Sequence, residues 1–549
     1  MADKKFVVAI GGTGMRCLES FVHLCAIGMF DNEEIEILTL DTDRTNGNKG
    51  RVEQLIDTYN HIKSNDATNI DGGSPNADTF FSAKLNIYKF ATDYSKSTRS
   101  TYANLAQLSV ENPKDIWENR ALSDLFLERK TVQDFNLDHG YRAQTHLGSF
   151  LMYHGIVEAA RNMRNGDENL GEEDKSLRKF LLKLLENSEN ARVFVFGSVF
   201  GGTGASSIPI IPVAFQDAIK TLDGHSTLDL KKVKFGSTLL TEYFSFHKPS
   251  QEERDSEHII ADSNFFALNS QAALQFYQGD PTVKECYRRL YLIGWPLECK
   301  PLDNNGQDAT KTITGGAEQK NNCHVVELLS AAAAYDFFNQ DDGTLNNAQA
   351  TYLYRSAPFS NNVFNFTGSD FFGNDGEKFE MKLGAFFSFA HIILGFNGGA
   401  KNSEGTKKLV ERLKDHKITE YNDISLEQLK EIDRYFQLFA YSIENGSTLK
   451  LGWIYQIYRS VQPGKFIFKS DAFDSKLSSI MSVDPGDIFD DSNHRWDKGK
   501  LGLQSRIDTF FSNFTENKGA EPKKEQKANT RKEKLLALMY NAIKIAQKF

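Results

Sequence analysis

Apolar residues follow two different periods along the first 45 positions of the chain. Residues 6–10 form an unbroken apolar run, which is typical of a strand buried on both faces of a parallel sheet. Leu18, Phe21 and Cys25 then recur at helical spacing, and residues 35–40 return to a strand-like run. A strand, a helix and a second strand in this order predict an α/β layer with parallel strands.

Strand-like and helix-like patterns continue to alternate as far as residue 339. We predict strands at 193–196, 232–240 and 288–294, and helices at 144–162, 174–187, 264–277 and 323–339, with a further helix ending at 218. These elements predict an α/β fold with a parallel, doubly wound sheet. From about residue 345 the patterns weaken, and we expect a second α+β domain there.

Two loops with the sequence Gly-Gly-Thr-Gly each follow a predicted strand and precede a predicted helix, at residues 11–14 and 201–204. Glycine removes the Cβ that would block an anion, the N–H groups of such a loop point inward, and the helix N-terminus adds partial positive charge. Two loops of this kind in one chain predict a site that holds a nucleotide by its phosphates. The candidate nucleotide-binding residues of the loops are Gly11, Gly12, Thr13, Gly14, Met15 and Arg16, together with Gly201, Gly202, Thr203, Gly204, Ala205 and Ser206.

Two other phosphate-binding patterns fit the glycine loops less well. A P-loop needs a Gly-Lys-Ser/Thr end that places a lysine on the terminal phosphates, and neither loop carries one. A dinucleotide-binding fingerprint would begin with Gly12-Thr13-Gly14 and find its ribose acid at Asp41, but Cys17 stands at its third glycine. That fold also has no use for a second glycine loop. An NAD-binding oxidoreductase is therefore the less favoured alternative.

Residues 200–209 resemble the signature of the tubulin/FtsZ superfamily, and specifically that of its divergent bacterial tubulin-like proteins. The family signature reads G-G-G-T-G-[S/T]-G, with a proline soon after it in the bacterial members. Gly201 to Gly204 and Pro209 match this signature, whereas Phe200, Ala205 and Ser206 replace the first Gly, the Ser/Thr and the last Gly.

Two further segments carry the same resemblance. Residues 9–16 are similar to the first phosphate loop of the family. Residues 40–43 are similar to the Asn-Thr-Asp loop of FtsZ, with Asp41 in the place of the Asn. The resemblance covers disconnected pieces of roughly residues 1–340.

The resemblance implies GTP or GDP with Mg²⁺ as the ligands. Asn269 stands where the family has an asparagine that binds guanine, and an Asn amide can donate and accept at once. Asn264 is the rival candidate for this position, and a helix cap is the alternative role of either residue. Asp41 and Asp43 suit a Mg²⁺ bound through water, with Asp43 as the metal candidate, whereas an Asx turn is the alternative. Arg142 either faces the γ-phosphate or is a surface arginine.

In the tubulin family the acid that completes hydrolysis comes from the neighbouring subunit, on a loop that leads into a helix. Asn322, His324 and Glu327 form the nearest local match, and a predicted helix follows them. Glu327 would orient a water at the neighbour's nucleotide, with His324 in place of the usual acid. The alternative is that Glu327 caps the positive end of its own helix and that His324 hydrogen-bonds locally.

Two functions from different classes are compatible with these motifs. The first is a GTPase that assembles head-to-tail into filaments, because a heterologous contact that does not close produces a filament. The second is a non-polymerising nucleotide-binding scaffold or switch in a multiprotein bacterial system. The fold alone does not decide between them.

The predicted organisation has four parts. Residues 1–270 form a nucleotide-binding domain with an insertion at about 64–140, and residues 271–516 hold the central helix, the catalytic-type loop and the second domain. A charged linker at 517–534 precedes an amphipathic helix at 535–549. This helix either recruits a protein partner or packs back on its own domain.

Composition argues against several other classes. A net charge of −9 on 549 residues disfavours nucleic acid as the main partner. The five cysteines are scattered without a Cys-x-x-Cys pair, which fits reduced thiols rather than disulfides or a zinc site. No apolar run reaches the ~20 residues of a membrane span, and no signal-peptide pattern precedes the first strand. We therefore expect a cytoplasmic protein.

Overall fold

Seven parallel strands form the central sheet of this chain. The computed structural model describes residues 3–64, 70–91, 121, 124–125, 145–164, 171–246, 248–252, 261–301, 313, 315–346, 349–356, 358–361, 363–396, 404–444, 448–461, 464–465 and 518–547. The strands of the sheet are β1 (Lys4–Ile10), β2 (Glu34–Asp41), β3 (Lys84–Ala91), β4 (Ala191–Phe196), β5 (Lys234–Leu240), β6 (Tyr287–Gly294) and β7 (Thr351–Ser356). Their order is β3-β2-β1-β4-β5-β6-β7, and every pairing is parallel.

Helices cover both faces of this sheet. They are α1 (Gly11–Ile27), α2 (Gly47–Lys63), α3 (Thr145–Arg164), α4 (Glu172–Glu186), α5 (Gly202–Ser207), α6 (Ile211–Asp223), α7 (Phe266–Gly279), α8 (Pro281–Cys286) and α9 (Val325–Phe338). The apolar residues of α1, α2 and α9 join one hydrophobic core, and those of α3, α4, α6 and α8 join a second core on the opposite face. The predicted α/β fold with a parallel sheet is confirmed.

The unbroken apolar run of β1 follows from its central place between these two cores. Val7 and Ala9 belong to the core on the α1 face, whereas Phe6, Val8 and Ile10 belong to the core on the other face. Each of the five side chains is almost completely buried. A strand that has no solvated face shows no polar alternation.

The described chain beyond the sheet is mainly helical. Its helices are α10 (Asp342–Leu345), α11 (Gly368–Phe372), α12 (Gly376–Phe396), α13 (Gly405–Asp415), α14 (Leu426–Phe439), α15 (Trp453–Ser460) and α16 (Arg531–Gln547). Its short strands are β8 (Phe359–Ser360), β9 (Val363–Asn365), β10 (Tyr441–Glu444), β11 (Thr448–Leu451) and β12 (Gly464–Lys465). Phe386 of α12, Tyr435 of α14 and Trp453 of α15 lie in the same core as Phe21 of α1. The C-terminal helices therefore share one continuous core with the α1 face of the sheet.

The observed sheet moves two of the predicted boundaries. β6 and β7 extend the sheet to residue 356, so the boundary predicted at residue 270 falls inside it. β3 lies inside the segment predicted as an insertion at 64–140. Its half-buried position at the edge of the sheet gives a polar and apolar alternation, which we interpreted as irregular chain. Residues 92–120 and 126–144 of that segment lie outside the described residues.

The amphipathic C-terminal helix packs back on its own chain. Leu535, Met539 and Ala542 of α16 are buried in the core of the α1 face, and the Tyr540 ring lies 5.0 Å from that of Phe80. The apolar stripe that we considered for a protein partner is therefore covered by the chain itself. Gln526, in the predicted linker, is also buried and donates to the carbonyl of Asp78 at 2.7 Å. Among the described helices, none has the length and apolar character needed to cross a membrane.

Candidate anion site at the glycine loops

The two glycine loops meet at the carboxyl ends of the central strands β1 and β4. The first loop opens α1 directly after β1, and the second opens α5 shortly after β4, which pairs with β1. A Cβ built on Gly11 would lie 3.1 Å from the Cβ of Thr203, so the two loops touch. The structure therefore brings together two motifs that lie far apart in the sequence.

The loops occupy the point at which the sheet changes its direction of winding. The connection after β1 runs through α1 on one face to β2, whereas the connection after β4 runs through α6 on the other face to β5. In open α/β sheets this arrangement leaves a crevice outside the carboxyl ends of the strands, and ligands bind there.

The last glycine of each loop serves close packing. A Cβ on Gly14 would lie 2.5 Å from the carbonyl oxygen of Phe196, and a Cβ on Gly204 would lie 2.6 Å from that of Ser198. Gly11 in addition has φ +65°, a conformation that favours glycine. Both helices can thus begin against the end of β4, which a side chain at either position would prevent.

The remaining residues of the loops leave donors facing the crevice. Gly12 and Thr13 in the first loop, and Gly201 and Thr203 in the second, are partly exposed. The residues that precede the two helices are Ile10 and Gly201, and neither provides a side-chain cap. The first N–H groups of a helix have no partner within the helix, so at the start of α1 they are available to an anion. The second helix, α5, has only six residues, and that loop contributes its glycine backbone rather than a helix end.

Asn269 is the predicted residue that the structure places beside the second loop. Asn269 belongs to α7, and its Nδ2 donates to the carbonyl oxygen of Phe200 at 3.4 Å. The carbonyls of Ala205 and Ser206 are tied to Tyr277 and Ser149 at 2.6 and 2.8 Å. Met15 is completely buried in the core. Arg142 lies outside the described residues.

The two predicted aspartates differ in what remains free on each carboxylate. Asp41 Oδ1 accepts from the N–H groups of Thr42 and Asp43 at 2.8 and 3.2 Å, which is the Asx turn that we kept as an alternative. Asp41 is 2 % exposed, and its buried Oδ2 has no hydrogen-bond partner among the described residues. Burial, with the nearby Asp43 charge, raises the pKa of Asp41 to about 7.

Both oxygens of Asp43 are already used by the protein. Its Oδ1 accepts from Thr45 N and Oγ1 at 3.0 and 2.9 Å, and its Oδ2 accepts from Gly316 N at 2.6 Å. Asp43 therefore anchors the segment around Gly316 rather than presenting a free carboxylate. Within the described ranges, no group of three or more His, Cys, Asp or Glu side chains is placed to hold a metal ion.

Arg16 and Glu327, predicted for two different sites, form one buried ion pair. Arg16 also donates to the carbonyl oxygen of Asn322 at 2.8 Å, and Glu327 Oε1 accepts from Tyr243 Oη at 2.8 Å. The guanidinium lies 5.3 Å from the centroids of the Tyr243 and Phe244 rings. Burial raises the pKa of the Glu327 carboxyl, while the Arg16 charge acts in the opposite direction.

His324 and Glu327 form a capping box at the start of α9. Glu327 Oε2 accepts from His324 N at 3.0 Å, and His324 Nδ1 accepts from Val326 N at 3.3 Å. Burial, with the Arg16 charge, lowers the pKa of His324 to about 3. Glu327 is 0 % exposed, so its carboxylate does not face a neighbouring subunit. The arrangement is the helix-cap alternative rather than the one that catalysis in trans requires.

The segment at 315–323 was considered in the sequence only through Asn322, and its place beside the first glycine loop was not predicted. It lies over the first glycine loop and beside the start of α2, where Gln319 Oε1 accepts from Asn46 Nδ2 at 2.6 Å. Asn48 Nδ2 donates to Asn321 Oδ1 at 2.8 Å, and Asn48 Oδ1 accepts from Asn321 N at 3.1 Å. The side-chain amides at these positions are the one signal in the sequence that could have indicated such a network.

No protein-family model, no curated protein and no solved structure matches this chain. The geometry of the glycine loops and their surroundings is therefore what supports a function.

Proposed function

We propose that this chain is a tubulin-like protein that binds GTP or GDP by its phosphates at the paired glycine loops. The observation that carries the proposal is the contact between two glycine-rich helix starts, neither of them capped by a side chain, at the change of winding between β1 and β4. Converging N–H groups suit an anion with several charged oxygens. A nucleotide also needs a partner for its base, and Asn269 beside the second loop fits that role.

Magnesium fits this site through Asp41 rather than Asp43. In the part of the chain that the structure describes, the buried Asp41 Oδ2 has no hydrogen-bond partner, whereas both Asp43 oxygens accept hydrogen bonds. A single carboxylate that acts through water is typical of Mg²⁺, which keeps most of its waters. The ion would supply positive charge that Arg16 cannot, because Arg16 is paired with Glu327.

The geometry also indicates which residues could act on a neighbour's nucleotide. α9 runs from the glycine-loop edge, where Glu327 meets Arg16, to the opposite edge, where Asp342 pairs with Arg192 and Lys234 at the starts of β4 and β5. Head-to-tail stacking would place this opposite edge over the next subunit's glycine loops. Asp341 caps α10 there, and its two oxygens accept from Thr344 N and Oγ1 at 2.8 and 2.7 Å, which lowers the pKa of its carboxyl. Unlike Glu327 and Asp43 it is exposed, and its carboxylate has further lone pairs that can accept from a water. We therefore assign to Asp341 the role that the sequence had suggested for Glu327.

A non-polymerising nucleotide switch is the second candidate function. It is favoured by the segment at 315–323, which contacts the first glycine loop on one side and α15 on the other, where Gln456 Oε1 accepts from Cys323 N at 2.7 Å. A ligand at the first glycine loop would thus be connected to the C-terminal helices through the segment at 315–323.

Calorimetric titration of the purified protein with GTP, GDP, ATP and NAD in the presence of Mg²⁺ tests the ligand. We expect binding of GTP and GDP in preference to ATP and NAD. Binding of NAD alone would replace the proposal with a dinucleotide-binding protein. Sedimentation with GTP and with a non-hydrolysable analogue then separates the two functions, because only a filament former pellets.

A further inference from the structure

The segment at 315–323 is held firmly beside the first glycine loop. Gly316 N donates to Asp43 Oδ2 at 2.6 Å, and Gly47 N donates to the carbonyl oxygen of Gly316 at 3.0 Å. Asn48 and Asn321 exchange two hydrogen bonds a few residues further on. Gln319 lies between these two anchors, so the backbone on both sides of it is fixed.

The orientation of the Gln319 amide follows from its neighbour. Asn46 Oδ1 accepts from Asn48 N and Lys49 N at 3.0 and 3.2 Å, as the cap of α2. Asn46 therefore has only its Nδ2 donor to offer, and Gln319 must present Oε1 to it, at 2.6 Å. The Nε2 donor of Gln319 is left over, and no residue in the described part of the chain is seen to accept a hydrogen bond from it.

This amide borders the space directly beside Gly12. A Cβ built on Gly12 would lie 3.3 Å from Gln319 Oε1, and 3.5 Å from Asn46 Nδ2 and from Asn48 Nδ2. Gly12 is one of the partly exposed loop residues that face the crevice. Since Nε2 is bonded to the same carbon as Oε1, it lies next to that oxygen and therefore near Gly12.

We propose that Gln319 is a binding residue of the nucleotide site and that its Nε2 donates a hydrogen bond to a phosphate oxygen at the first glycine loop. This inference rests on the proposed function. Arg16, the cation of this loop, is committed to Glu327 inside the core. The phosphate is therefore met at this loop by neutral donors, the backbone N–H groups and a side-chain amide that the start of α2 holds in place.

The test is the affinity of the full-length Gln319→Glu variant for GTP and GDP. Glutamate has the same shape and still offers an oxygen to Asn46, but it replaces the donor with a negative charge. We expect GTP affinity to fall about tenfold or more, because a hydrogen bond to a charged group is lost and a repulsion is added. Ala317→Glu is the matched control, since it adds the same charge at an exposed position of the same segment. It should bind GTP nearly as the wild-type protein does.

Gln319→Ala provides a second measurement that adds no charge. It should also weaken GTP binding, by a smaller factor than Gln319→Glu, while thermal unfolding reports whether the fold is kept. If the wild-type protein binds GTP and both Gln319 variants bind it equally well, the assignment of Gln319 is overturned and the proposed function stands. Equal losses in Gln319→Glu and Ala317→Glu would overturn it too. If the wild-type protein binds no nucleotide, the proposed function fails and the assignment fails with it.

Discussion

Arg16 and Glu327 pair inside the protein, where the second turn of α1 meets the first turn of α9. Both side chains are almost completely buried, and Tyr243 donates to the same Glu327 oxygen. The pair thus ties the first glycine loop to a long helix that crosses the sheet. Its position explains why neither residue is available for the phosphate-binding or hydrolytic role that the sequence suggested.

Removing one member of this pair should destabilise the protein strongly. Arg16→Met would leave the Glu327 carboxylate buried without its charge partner, and a loss of about 3–5 kcal/mol in the free energy of unfolding is expected. The double variant Arg16→Met, Glu327→Gln should recover a large part of that loss, because no unpaired charge remains. Urea unfolding of the two single variants and the double variant measures the coupling. Additive losses would show that the two side chains do not act as a pair.

Substitutions at different glycines of the loops should affect ligand binding and folding separately. Gly201 has φ −93° and ψ 168°, which alanine adopts without strain, and a Cβ there would meet only Ser198 Oγ, at 3.3 Å. Gly201→Ala should therefore keep the melting temperature but weaken GTP binding, since the methyl group enters the crevice. Gly204→Ala should lower the melting temperature, because its Cβ would lie 2.6 Å from a backbone oxygen. Gly50→Ala is the control, with no atom within 4 Å of the added Cβ.

Asp341 should be required for hydrolysis but not for binding. Asp341→Asn keeps an oxygen that can accept from Thr344 N, so the start of α10 should remain intact. GTP affinity should be unchanged, whereas turnover should fall about 10²-fold, the scale for loss of a positioned acid or base. Phosphate release measured over a range of protein concentrations checks this, with the exposed Asp415→Asn as control. Normal turnover in Asp341→Asn would remove Asp341 from the mechanism.

The stability of the ligand-free protein should depend on Asp41 between pH 4 and 7. The folded-state pKa is about 7 against an ordinary value of 3.8, so in this window the folded protein binds more protons than the unfolded chain. Stability contributed by the protonated carboxyl is therefore present at low pH and lost as the pH rises towards 7. Asp41→Asn should show a flatter profile and exceed the wild type at pH 8, by up to about 4 kcal/mol. Parallel denaturation profiles for the two proteins would contradict this.

Local patterns in the sequence were sufficient for five of the seven strands of the sheet, β1, β2, β4, β5 and β6, and for the glycine loops. The runs that became β1, β2, β4 and β5 are buried on both faces, and such strands show no polar alternation. The loops were recognisable because glycine is required locally, by backbone conformation at Gly11 and by close packing at Gly14 and Gly204. The strand runs and the backbone conformation of Gly11 depend on neighbours along the chain, whereas Gly14 packs against the distant Phe196 and left its signal only as a glycine in the motif.

Contacts between distant segments determine which residues line the site and which of the predicted residues lie elsewhere. Nothing near Gln319 indicates that it would lie beside Gly12, and nothing near Arg16 indicates its pairing with Glu327. The position of Glu327 three residues after His324 was equally compatible with a capping box and with a catalytic loop, and only its burial distinguishes them. The edge strand β3 was missed because its alternating pattern is weak.

The packing of α16 has a consequence for how the chain folds. Tyr540 donates to Asp78 at 2.8 Å across a separation of 462 residues, and Asn76 Nδ2 donates to the carbonyl oxygen of Lys527 across 451. Contacts of this range require the ends of a very long loop to meet before any stabilisation is gained, which slows folding. While a ribosome is still adding the segment that becomes α16, Phe80 lacks the cover that the Tyr540 ring gives it. Nascent chains should therefore depend on chaperones until that helix emerges.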